Sequence, residues 1–388
     1  MPTSAMSTTD SNHTGACAWC CNLRRAVLRR MLSEGTPTAR MFDTTWQNYS
    51  EGSVVSPADF SACHRNPCIR VMVGYFVSEP YGVIDAVGAD TSDLLQRLTS
   101  NDVSAVPPGS GLRSVLLTEK GRIVDVLTLL HRQDRWQIVT SPGCQENVYR
   151  WIRRFIIMDD VRLVLRDGLG ASIELWSAEQ TNIAELFPSL AEREGSWVDA
   201  EIGGVQVTAL RLWNSAACPT TRGQMILLLC PATHRDAVIT WLGAHRAQQL
   251  LPDERNRLRI EFRIGQYPNE YSEQYTPLEA GLAHIVALGK GCFIGQEVLE
   301  RLAVQQKLRW RLHAIEAPSG TLREGETLRT ATPESTTSQS DIAGVVTSVA
   351  ANARASALAY IRRDAGSQLQ SEHGVAIRIL EPIGTTVS

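Results

Sequence analysis

Hydrophobic and polar positions fall into regular order only after about Tyr81. Gly82–Val87 is apolar apart from Asp85 and predicts a strand. Gly88-Ala89-Asp90-Thr91 then caps a short helix with Leu94, Leu95 and Leu98 on one face. Leu112–Thr118 and Arg122–Leu130 are apolar runs joined by Glu119-Lys120-Gly121, the pattern of a hairpin. Trp136–Thr140 predicts the next strand. Ser141-Pro142 offers a cap residue and a first-turn proline, and Val148, Trp151, Ile152, Phe155 and Ile156 follow at helical spacing on one face. Val161–Leu165 returns as a strand. A weaker echo has strands at Ala171–Trp176, Val205–Trp213 and Gln224–Leu229, then Pro231 before a helix bearing Val238, Trp241 and Leu242. Pro252–Thr276 is polar and reads as a short helix or strand plus a long loop. After Leu308, strand-and-turn patterning broken by Gly320, Gly325, Gly344 and Gly374 predicts a small β-barrel or sandwich, with Thr332–Asp341 a mobile loop inside it. Strands in pairs with a packed helix between them give an α+β fold with mixed or antiparallel sheets.

The chain has 388 residues, enough for two or three domains. No apolar run is longer than that of Met225–Cys230, far short of the roughly 20 residues of a membrane helix. With a net charge of −3 there is no global basic field, so no direct nucleic-acid partner and no membrane partner is expected. Of 38 Lys+Arg only Lys120, Lys290 and Lys307 are lysines, so a lysine marks a place where arginine will not serve. Nine scattered cysteines argue for free thiols in a reducing compartment, and the expected location is the cytoplasm.

Residues 1–75 differ from the rest. They are Ser/Thr-rich at first, with Arg24-Arg25 and Arg29-Arg30, and read as a disordered extension or a misassigned start; a transit peptide, giving a mitochondrial location, is the other reading. Cys17, Cys20, Cys63, His64 and Cys68 are too irregularly spaced for a zinc site to be expected, so no metal is assigned.

The densest chemistry lies in Thr276–Leu282 and in Lys290-Gly291-Cys292-Phe293-Ile294-Gly295-Gln296-Glu297. Val298, Leu299 and Leu302 follow the second segment at helical spacing, so a glycine-rich loop runs into a helix N-terminus. Such a place holds a carboxylate or phosphate and favours the thiolate of Cys292 beside Lys290. Cys144, also at the start of a helix, gains from the dipole too, whereas Cys230 ends an apolar strand and packs as a small hydrophobe. The opposing reading is a structural loop with an inert Cys292 and a solvated Lys290. A cysteine hydrolase with His284 as base to Cys292 is weaker, because nothing orients that histidine.

Lys290–Glu297 closely resembles the Lys-Gly-Cys-aromatic-x-Gly-Gln-Glu signature of the YgfZ family, folate-binding relatives of the glycine-cleavage T-protein. Pro277–Leu282, Leu98–Val103, Gly121–Asp125 and Ala343–Ser348 are similar to other landmarks of that family. The resemblance implies a GcvT/YgfZ-like three-domain arrangement: a folate-binding region of two interleaved α+β domains over 76–304 and a C-terminal β-barrel over 305–388. It implies a monomer that binds tetrahydrofolate or a one-carbon derivative and supports iron–sulfur cluster assembly or repair. Its protein partners would be iron–sulfur client or assembly proteins, including tRNA-modifying enzymes. Cys292 is the candidate functional thiol. Lys290, Gly291, Gly295, Gln296 and Glu297 are candidate folate contacts, with Asn101, Arg122 and Asp125 as second contributors. The alternative is an aminomethyltransferase like the T-protein. Against it, Val148 stands where that family has its catalytic aspartate, and Trp213–Gly223 lacks the expected folate-binding acid. Arg259-Ile260-Glu261 is similar to the YgfZ family, but Phe262–Pro268 departs from its small-residue pattern, so a folate contact made by that loop is in doubt.

Overall fold

The computed structural model describes residues 73–166, 170–178, 180–214, 223–330, 342–350, 355–366 and 368–384. The N-terminal extension with its cysteine cluster, most of Trp213–Gly223 and the Thr332–Asp341 loop lie outside the described residues.

The chain enters on β1 (Gly74–Ser78), which does not pair with the strand that follows. The next block holds β2 (Tyr81–Val87), α1 (Thr91–Leu98), β3 (Gly111–Leu117), β4 (Ile123–His131), β5 (Trp136–Pro142), α2 (Gln145–Arg153) and β6 (Arg162–Leu165). Its five strands form an antiparallel sheet in the order β3-β4-β5-β2-β6. The Leu94/Leu95/Leu98 face and Val148 and Ile152 pack on it as expected, all essentially buried. α2 starts later than the Ser141-Pro142 signal suggests. Tyr81 pairs with Pro142 and the Ser141 amide donates to Asp125 Oδ2, so strand pairing holds this dipeptide until Cys144 caps the helix.

The second block holds β7 (Ala171–Ser177), α3 (Gln180–Leu186), β8 (Trp197–Ile202), β9 (Val205–Asn214), β10 (Gln224–Cys230), α4 (Arg235–Ala244) and β11 (Gln248–Gln249). Its sheet runs β11-β1-β7-β10-β9-β8, antiparallel but for the β1–β11 pair. β1 therefore belongs to the later block, and the two units interleave. Val73 and Tyr75 are buried there, so the ordered body begins ahead of Tyr81 and ahead of residue 76. The signal of β1 is weak because its partners lie far along the chain, in β7 and in β11. A shared apolar layer, with Val83, Leu130 and Val139 from the first sheet and Leu210, Leu227 and Leu229 from the second, joins the sheets.

Pro252–Glu261 is a helix, α5, started by Pro252 at N1 and by Glu254 accepting the Leu251 amide; no strand forms before Thr276. α6 (Gln296–Gln305) precedes six short strands: β12 (Trp310–Glu316), β13 (Thr327–Thr330), β14 (Ile342–Val349), β15 (Ser356–Arg362), β16 (Leu369–Ser371) and β17 (Ala376–Pro382). These close as a barrel, β12-β15-β14-β13-β16-β17, so the terminal unit is a barrel, not a sandwich. Closure leaves no unpaired edge. A buried ion pair fastens the barrel to the central loop. Arg259 Nη1 donates to Glu270 at 3.0 Å, Ser348 Oγ donates to the other Glu270 oxygen at 2.6 Å, and Tyr360 donates to the Glu270 carbonyl.

Candidate functional site

The Lys290–Glu297 loop is fastened to the end of α1. The Ala287 and Ile294 amides donate to the Ser100 and Arg97 carbonyls, and Gln96 Nε2 donates to the Lys290 carbonyl. Lys290 Nζ donates to the carbonyls of Gln96 at 2.6 Å and Asn101 at 2.7 Å, and sits 5.2 Å above the Phe293 ring. A cation on carbonyls at and just past a helix C-terminus is favourable, and a tetrahedral ammonium reaches two diverging acceptors better than a planar guanidinium. Burial pulls the Lys290 value down to about 8, with Asp102 opposing. Lys290 is thus half-buried and hydrogen-bonded, not solvated.

The neighbours are similarly engaged. Asn101 donates to the Arg113 carbonyl and accepts the Asp102 amide. Gln296 accepts the Phe293 amide and donates to the Leu288 carbonyl and Glu300. Gly295 caps α6 at φ 80°, where a Cβ would lie 2.7 Å from the Thr118 carbonyl and 2.9 Å from Gly121 Cα. The β3–β4 hairpin turn and the loop are therefore in backbone contact. Gly291 has φ 102° with open space around it, and Glu297 and Cys292 are exposed. Arg122 turns toward the Gln274 carbonyl and Glu279. His284 contacts Glu194 at 3.3 Å, and among the described residues no hydrogen bond joins it to Cys292.

Asp125 belongs to a different assembly, deep between the elements. It is fully buried; its two oxygens accept the Val126 amide at 2.8 Å and the Ser141 amide at 2.9 Å. Burial raises it to about 6 against those bonds and the pull of Arg113. Beside it Cys144 is pushed up to about 12 by burial, with the Asp125 charge adding and a hydrogen bond from Tyr267 opposing. At Cys144 desolvation outweighs the helix dipole, so this thiol is inert. Arg113 projects from β3, and its charge also reaches Tyr81 and Tyr271. Arg113 Nη1 meets Glu194 only at 3.4 Å, and its buried Nε has no partner. Tyr81 in turn donates to Glu174, which is buried and gripped by Arg255 Nε at 2.8 Å and Nη2 at 2.9 Å. The result is a buried polar centre with an acid that titrates near neutrality and an arginine with an unused donor.

Of the expected site residues, the structure brings Lys290 and Asn101 together as a clasp, has Gln296 brace the loop from within, sets Gly295 against Gly121, turns Arg122 toward Glu279, leaves Cys292, Gly291 and Glu297 at the surface, and places Asp125 in a different assembly. Sequence reasoning missed Arg113, Glu174, Arg255 and Tyr267. A signal existed for two: Arg113 and Glu174 are charges inside strands that are otherwise almost wholly apolar.

A family profile described as GCVT N-terminal domain matches residues 56–212. The chain is 26% identical over 262 residues to an aminomethyltransferase of Halalkalibacterium halodurans, covering 64% of this chain and 69% of that protein. It is 29% identical over 261 residues to one from Bordetella pertussis, covering 63% and 67%. The crystal structure of glycine cleavage system aminomethyltransferase T from Bartonella henselae shares the fold, with a TM-score of 0.64 and 17% identity over 82% of this chain and 86% of that one.

Proposed function

For a chain of the GcvT-like superfamily, we propose a protein that binds a tetrahydrofolate at the buried polar centre and acts on its one-carbon unit, in the manner of the aminomethyltransferases it resembles. The observation that carries this reading is the Asp125–Arg113 centre. Arg113 has an unused buried donor, and Asp125, held by the Val126 amide and by the amide and side chain of Ser141, still has acceptor capacity to spare. Those groups fit the amide and ring-nitrogen edges of a folate. When bound, a folate supplies the nitrogens that carry the one-carbon unit. Asp125, near 6, is the residue suited to hold and release a proton beside it. Val148 is fully buried in apolar packing and takes no part.

A second reading, YgfZ-like binding of folate in support of iron–sulfur enzymes without aminomethyl transfer, is favoured by that same Val148 and by exposed Cys292 inside the octapeptide. One experiment separates the readings. Calorimetric titration with tetrahydrofolate and its 5,10-methylene form is followed by an assay of aminomethyl transfer. Saturable binding with turnover that Asp125→Asn abolishes supports the first reading. Binding without turnover supports the second. Absence of folate binding overturns both.

A further inference from the structure

The barrel holds a cluster that neither the octapeptide loop nor the buried centre uses. Glu326 stands immediately before β13; Glu372 and His373 stand in the turn between β16 and β17. Each brings one ligand atom to within 4.8 Å of the others. Strand pairing holds the two ends together: Leu328 lies opposite Ser371, and the Glu372 amide donates to the Thr327 carbonyl at 3.1 Å.

Glu326 is only 3% exposed. Its Oε2 accepts the Arg323 amide at 2.9 Å, but its Oε1 is buried without a partner. No arginine or lysine pairs with it among the described residues. A carboxylate oxygen taken out of water with no donor carries a desolvation cost that nothing nearby offsets. Glu372 accepts the Thr327 hydroxyl at 3.1 Å with one oxygen and faces His373 Nε2 at 3.7 Å with the other. Both of these side chains are exposed.

We propose that Glu326, Glu372 and His373 bind one divalent transition-metal ion of the zinc class. Imidazole with carboxylates suits zinc, whereas magnesium and calcium prefer all-oxygen sets. Three protein ligands leave a fourth tetrahedral position for water. Donors around such an ion stand about 3.4 Å apart with bonds of about 2.1 Å, so the two exposed side chains close by about an ångström onto the fixed Glu326. The ion would neutralise the buried carboxylate and clasp the start of β13 to the β16–β17 turn. The inference does not depend on what the centre at Asp125 binds.

The test uses the full chain after EDTA treatment and dialysis, titrated with Zn²⁺ by calorimetry and with Co²⁺ by visible absorption, for the wild type, Glu326→Gln and His373→Ala. The expected result is a saturable equivalent of Zn²⁺ weakened at least roughly tenfold in both variants, with a cobalt d–d spectrum that disappears with it. Zn²⁺ also raises the Tm of the wild type but not of His373→Ala. Cysteine binding elsewhere announces itself by thiolate-to-cobalt charge transfer, which His373→Ala leaves in place. Zinc affinity unchanged in His373→Ala, or a cobalt spectrum consisting only of the thiolate band, overturns the proposal. His373 lies on an exposed turn, so this variant decides the matter even where Glu326→Gln fails to fold.

Discussion

Replacing Asp125 by Asn should change how stability depends on pH in a way no other substitution here would. Asp125 is fully buried, and its value rises from 3.8 to about 6, chiefly through burial. The native state therefore keeps this proton to higher pH than the unfolded chain. The stability it contributes is complete below about pH 3.8 and is lost as pH rises through about 6. A rise of that size corresponds to roughly 3 kcal/mol, of which about 2 fall between pH 4.5 and 7.5. Asn cannot titrate. It carries a constant penalty, because its amide nitrogen must face either the Val126 or the Ser141 amide, but that offset does not vary with pH. Urea unfolding of both proteins across this range isolates the group, since every other titration cancels in the difference. Wild-type stability should fall by about 2 kcal/mol relative to Asp125→Asn between pH 4.5 and 7.5. A difference constant within about 0.5 kcal/mol would refute the claim that Asp125 is buried against its ionisation.

Lys290→Met should cost about 2–3 kcal/mol in urea unfolding, because two charge-assisted bonds to main-chain carbonyls vanish together, and Lys290→Arg should not restore it; wild-type stability in either variant would show the clasp to be idle. Gly295→Ala should cost about 3 kcal/mol or more, since the new Cβ meets backbone at 2.7 Å, whereas Gly291→Ala, strained only in φ, should cost about 1–2; equal effects would contradict the close approach of hairpin and loop. Among Cys144, Cys230 and Cys292, iodoacetamide followed by peptide mass spectrometry should label Cys292 first by roughly tenfold or more, because the other two are buried and burial pushes both thiols up.

Strong local patterns told most of the fold in advance. The β3–β4 hairpin, the apolar face of α1 and the strands β7, β9 and β10 each carry their own signal within a dozen residues. β1 does not, because its apolar positions acquire meaning only from β7 and β11, far along the chain, and β8 does not, because its alternation is broken by Asp199 and Glu201 although its partner β9 follows at once. α2 starts later than its helix-start dipeptide because tertiary pairing of Pro142 with Tyr81 overrides that local signal. The octapeptide was legible as a special loop, but spacing could not reveal that Lys290 points at the end of α1, nearly two hundred residues earlier in the chain. Nor could it reveal that Asp125 meets Ser141 and Cys144 rather than the loop. Single charges within apolar strands, as at Arg113 and Glu174, were the available pointers to the buried centre.

The Glu270 network bears on the order in which the protein can be made. Glu270 waits for Ser348, 78 residues later, and for Tyr360, 90 residues later. In a chain that stops before β14 and β15, Arg259 and the Gln266 amide still pair with one Glu270 oxygen, but the other oxygen and the Glu270 carbonyl lack Ser348 and Tyr360, and drying them unpaired would be costly. The segment after α5 should therefore gain its last partners only when the barrel docks, so an interrupted translation product ending before Ser348 should be a target for chaperones and proteases.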